Sequence, residues 1–67
     1  VKKDDITDKQ LQVLRLIANG LSSEEIAKKL GNSKKTIDSI RIEMLSRFQV
    51  ANAAELVAYG FRKKWLK

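Results

Sequence analysis

The side chains in this sequence able to do chemistry are cations of the second half, Lys34, Lys35, Arg41 and Arg47, set among Ser33, Thr36, Asp38 and Ser39. Ser33 is a residue type that caps helices. Lys34 and Lys35 then fall in a first helical turn, where the positive end of the backbone dipole disfavours them. A bound phosphate reverses that penalty, because the dipole, the unpaired N–H groups and both ammonium groups act on it together. A merely solvated lysine surface is the competing explanation. Asp38, Ser39, Arg41 and Ile42 follow, off the apolar stripe of Ile37, Ile40 and Met44. These four are the candidates for base-edge contacts. Arg41 can pair bidentately with guanine O6 and N7, Asp38 can accept from cytosine N4, and Ile42 can meet a thymine methyl. Asp38 has a second use, orienting Lys35 or Arg41 three residues away.

Catalytic chemistry has little to work with. There is no His and no Cys, hence no imidazole base, no thiolate and no zinc ligand set. No Gly-rich phosphate loop occurs. Ser22, Ser33 and Thr7 stand where helix caps are needed, and Asp4-Asp5 stands near the N-terminal end, where disorder is the default. The expectation is a protein that is not an enzyme and takes neither metal nor cofactor.

Helices must position these cations, since the sequence has no Pro and no run of strict alternation to build strands from. Thr7-Asp8-Lys9-Gln10 and Ser22-Ser23-Glu24-Glu25 have the form of capping boxes. The first opens a helix over 8–19 with Leu11, Val13, Leu14, Leu16, Ile17, Ala18 and Leu21 as its apolar stripe. Gly20 supplies the left-handed end. The second opens a helix over 23–30 that turns Ile26, Ala27 and Leu30 inward and stops at Gly31. Ser33 caps a third helix over 34–48, striped by Ile37, Ile40, Met44 and Phe48. Asn52 caps a fourth over 53–62, with Leu56, Val57, Gly60 and Phe61 at helical spacing. The class is all-α. Two short helices joined by a three-residue turn containing Gly are a helix-turn-helix, which leaves the N-terminal half of the second helix protruding.

Sixty-seven residues are a single domain, able to bury only about 60% of its unfolded surface. Opening on Val1 rather than Met, it reads as an excerpt of something longer or a processed product. No apolar run nears the roughly 20 residues that span a bilayer, so the expected location is the cytoplasm. Residues 34–67 carry eight basic against three acidic side chains, +5 of the net +6. That asymmetry suits a polyanion, either nucleic acid or an anionic membrane surface.

From Ile6 to Leu66 the sequence resembles the LuxR-type helix-turn-helix domain, the C-terminal effector module of many bacterial response regulators and quorum-sensing receptors. The matching residues are Ile6-Thr7, Val13 to Ala18, Gly20-Leu21-Ser22, Glu25-Ile26-Ala27, Leu30, Ser33, Thr36 and Ile37. Arg41, Arg47, Phe48, Val50, Asn52 and Glu55 to Tyr59 complete the set. The resemblance implies sequence-specific binding of double-stranded DNA in transcription regulation, with the third helix in the major groove and RNA polymerase as a second partner. It implies phosphate contacts by Ser33, Thr36 and Arg47, and a homodimer contact on the fourth helix by Leu56, Val57, Tyr59 and Gly60, unless those four are core. The family commonly has a non-acidic residue where Asp38 stands, His where Ile40 stands and acids where Gln10 and Gln12 stand. It commonly has Arg where Ala53 stands and Gly where Lys64 stands. Trp65 is expected to pack back over the core, with an exposed partner contact as the lesser option.

Two other functions fit parts of the sequence. A sigma-factor region-four module shares Gly20-Leu21-Ser22 and Glu25-Ile26-Ala27 but not the fourth helix. A basic protein-interaction module would instead meet an acidic protein or a lipid headgroup; titrating DNA at rising salt separates the readings, because phosphate contacts impose a log–log slope of about −0.9 for each phosphate.

Overall fold

A computed structural model describes residues 6–66. Asp4 and Asp5, with the disorder expected of them, lie outside the described residues. So do the other ends of the 1–67 domain. The four expected helices are present: α1 (Asp8–Ala18), α2 (Ser23–Leu30), α3 (Lys34–Phe48) and α4 (Ala53–Arg62). The only boundary to move is the end of α1, where Asn19 is the cap rather than the last helical residue.

Side-chain oxygens start all four helices. The Thr7 and Ser22 hydroxyls accept from the N–H groups of Gln10 and Glu25, whose side chains accept in return from the N–H groups of Thr7 and Ser22. These are the two expected capping boxes. The Ser33 hydroxyl accepts from the Thr36 N–H at 3.1 Å, and Asn52 Oδ1 from that of Glu55 at 2.9 Å. The Glu55 carboxylate reaches one residue further back and accepts from the Ala51 N–H.

A common device ends them. After each helix, one N–H returns to a carbonyl five residues earlier: Leu21 to Leu16, Asn32 to Ala27, Val50 to Leu45, and Trp65 to Gly60. The residue before each donor adopts a left-handed backbone, as the Schellman turn requires. Gly20 and Gly31 do so freely, whereas Gln49 (φ 58°) and Lys64 (φ 65°) carry a Cβ into it. The left-handed turn is the physical reason a glycine suits position 64. Gln49→Gly is expected to stabilise the domain by about 0.5–1 kcal/mol, read as a higher urea midpoint at unchanged slope. A lowered midpoint would contradict strain at that turn.

Val13 and Leu14 of α1, Ile26 and Ala27 of α2, Ile37, Met44 and Phe48 of α3, Leu56 of α4 and Leu66 form the core. Its centre on α1 lies at Gln10, Val13 and Leu14, so Leu11, Ile17 and Leu21 are half-buried and Ala18 is exposed. On α4 the stripe stops at Gly60. Phe61, expected inward, is 49% exposed. Trp65 folds back as expected, 5.2 Å from the Phe48 ring and 5.7 Å from Tyr59, whose ring stacks on Phe48 at 5.1 Å. Among the described residues there is no strand, and no helix is long and apolar enough to cross a membrane.

Candidate nucleic-acid interface

α3 is clamped from three sides. α2 packs most extensively against it, while α1 and α4 hold its inner face. Ile37, Met44 and Phe48 are the buried anchors, and what remains of the helix surface falls into three rows.

The outward row is Lys35, Ser39, Ile42 and Ser46, all exposed. Ile42 is 65% exposed, an apolar side chain held in solvent and outside the core of the described residues. Below this row's start, Ser33 caps the helix, and its hydroxyl also meets that of Thr36 at 2.9 Å. Acids occupy the first turn of α1 (Asp8), α2 (Glu24, Glu25) and α4 (Glu55), as the helix dipole favours. The first turn of α3 contains none. Lys34 and Lys35 stand there instead.

The second row faces the N-terminal end of α2. Lys34 Nζ meets Asp38 Oδ2 at 2.8 Å, both side chains being well exposed. Asp38 therefore pairs with the lysine four residues before it, rather than with Lys35 or Arg41. One helical turn of separation aligns that pair better than three residues do. The Lys34 hydrogen bond, followed by one from Ser23, holds the Asp38 carboxyl below its ordinary range, and the same ion pair raises Lys34. Asp38 thus stays ionised beside the lysine. Arg41 leans toward α2 and donates from Nη1 to Ser23 Oγ at 2.7 Å.

The third row faces α1. Arg47 Nη1 donates to Gln10 Oε1 at 3.3 Å and its guanidinium lies 5.3 Å from the Phe48 ring centre. Gln10 is buried, accepts from the Thr7 N–H, and extends Nε2 to Glu43 Oε1 at 3.5 Å. An amide suits this place because it accepts from Arg47 with one end and donates to Glu43 with the other. A carboxylate could only repel Glu43. Arg47 lies fourteen residues beyond Ser33, roughly 20 Å along the helix axis, so it belongs to a different part of the surface from the Ser33–Thr36 turn.

The structure thus brings Ser33, Lys34, Lys35 and Thr36 together at one helix end, and Asp38 and Arg41 on one flank. Ser39 and Ile42 lie on the outer ridge. The sequence offers no local sign of Ser23 or Gln10 as their partners, because 18 residues separate Ser23 from Arg41 and 37 separate Gln10 from Arg47.

The residues expected at a fourth-helix contact divide differently. Leu56 is fully buried, and Gly60 is enclosed so tightly that an added Cβ would lie 2.9 Å from Leu66 Cδ1 and 3.0 Å from Leu14 Cδ2. Both belong to the chain's own core, and neither offers surface to a second copy. Val57 and Tyr59 are half-buried. The exposed side of α4 is Ala54, Ala58, Phe61 and Arg62 instead. Arg15, Ala18, Asn19, Phe61, Trp65 and Leu66 border an open cleft of about 450 Å³, which includes no residue of α3. Among the described residues no cluster of acidic side chains is placed to hold a metal ion.

Residues 4–59 match the luxR family of bacterial regulatory proteins. Curated relatives include the oxygen regulatory protein NreC of Staphylococcus aureus strains JH9, JH1 and Mu3. Each is 34% identical over 62 residues, covering 92% of this chain. The chain spans 29% of the length of those relatives. Family match, helix order and the basic turn at α3 agree: this chain belongs to the luxR family of bacterial regulatory proteins, as its helix-turn-helix domain.

Proposed function

We propose that this domain binds double-stranded DNA sequence-specifically for transcription regulation in the bacterial cytoplasm, with α3 in the major groove. One observation carries the reading. The exposed ridge of α3 starts from a helical turn that stability alone would have made acidic, and it holds Lys34 and Lys35 instead. Ser33, Lys34, Lys35 and Thr36 then meet phosphates at that turn, and Arg47 meets a phosphate at the far flank. Ser39, Arg41 and Ile42 reach base edges, with Asp38 either accepting from cytosine or restraining Lys34. The chain acts as the DNA-binding part of a longer regulator. A second copy docks through the outer side of α4, and RNA polymerase is engaged by the assembly on the promoter.

Titrating duplex DNA into the domain at rising salt tests this. Phosphate contacts give a log–log slope of about −0.9 for each phosphate neutralised. Lys34→Ala is expected to weaken binding on all sequences and reduce that slope by about one. An unchanged slope would remove Lys34 from the interface. Affinity indifferent to salt would reject the DNA reading.

A further inference from the structure

We propose that Ser23, on α2, is a specificity-determining positioning residue, whose buried hydroxyl holds Arg41 and Asp38 in fixed relation for reading a base pair. The inference rests on the DNA reading above and assigns its selectivity to a residue outside α3.

Ser23 is 5% exposed, and it is the first residue of α2 rather than its cap. Ser22 performs the capping, so the helix start does not need the Ser23 hydroxyl. A buried hydroxyl is retained at a cost unless it is hydrogen-bonded. Here its oxygen accepts from Arg41 Nη1 at 2.7 Å, which leaves its one proton to donate to the Asp38 carboxylate. That bond is the second cause, after the Lys34 hydrogen bond, that holds the Asp38 carboxyl low. A chain results in which Arg41 donates to Ser23 and Ser23 to Asp38, while Lys34 donates to the same carboxylate from the other side.

This chain fixes a side chain that would otherwise sample many rotamers. Arg41 has five N–H donors and uses one on Ser23, so four remain for a base edge. Holding the guanidinium before DNA arrives removes an ordering cost at the moment of binding, and a base contact gains selectivity only when its geometry is held. The tether also keeps Asp38 beside Arg41, where its charge acts against whichever partner fails to displace it.

The test selects sites for the parent domain and for Ser23→Ala from a pool of duplexes with 20 random base pairs. Competition binding then measures each on single-base variants of the parent's site. Ser23→Ala is expected to lower discrimination at the base pair read by Arg41 about tenfold, while affinity for unrelated duplex, the salt slope and the melting temperature stay close to the parent's. In an Arg41→Ala background, Ser23→Ala is expected to add no further loss, which a merely structural serine would not produce. Undiminished discrimination in Ser23→Ala, or full additivity of the two substitutions, overturns the inference and leaves the DNA reading standing. A parent that selects no sequence rejects the DNA reading, and the inference falls with it.

Discussion

Arg41→Ala is expected to lower affinity for the selected site by about 1–3 kcal/mol and to relax preference at one base pair, with little change on unrelated duplex. The expectation comes from where the structure puts this arginine. It is half-buried on the α2 flank of α3, tied at one nitrogen to Ser23 and directed by that tie instead of trailing into solvent. A guanidinium bound for the phosphate backbone gains little from such restraint, because phosphate contacts tolerate many approaches. One bound for O6 and N7 of guanine needs a defined fork. Titrations against the selected duplex and its single-base variants separate the two roles. Equal losses on every sequence would make Arg41 a phosphate contact.

Ile37→Ala is expected to cost about 2–5 kcal/mol of folding stability, the range for removing a large aliphatic side chain from a packed interior. Ile37 has no exposed surface and lies one turn into α3, between the basic end of the helix and the core. A domain this small rarely holds more than about 3–5 kcal/mol in total. The variant should therefore be largely unfolded when free, with a collapsed urea transition and lost far-ultraviolet helicity. Duplex present at 100 times its Kd should restore about 2.7 kcal/mol by mass action, so the loss would be partly reversible on DNA. A loss below about 1 kcal/mol would mean that α3 is not anchored by this residue.

Most of the architecture was legible because its determinants are local. Thr7 with Gln10, Ser22 with Glu25, and Ser33 and Asn52 alone each specify a helix start within four residues, and those starts are where the structure has them. Gly20 and Gly31 mark two of the helix ends in the same way. Gln49 and Lys64 do not advertise the other two, since a left-handed turn imposed on an ordinary side chain comes from packing around it. The flank of α3 was less legible for a related reason. Spacing along one helix offered Lys35 and Arg41 as partners for Asp38, but Lys34 is the residue a full turn away, and Ser23 arrives from another helix. Leu56 and Gly60 show the same limit on α4. Apolar periodicity identifies one face, yet a core and a partner's surface produce the same pattern.

The ring cluster at the far end of α3 gives the molecule its own optical gauge. Trp65 is the sole tryptophan, and it closes over Phe48 and the sole tyrosine, Tyr59. Phe48 stands at the opposite end of α3 from Lys34, roughly 20 Å away along the axis. Indole emission therefore follows the closing of the C-terminal turn, so folding can be followed in the light Trp65 emits while a separate dye on the duplex reports occupancy.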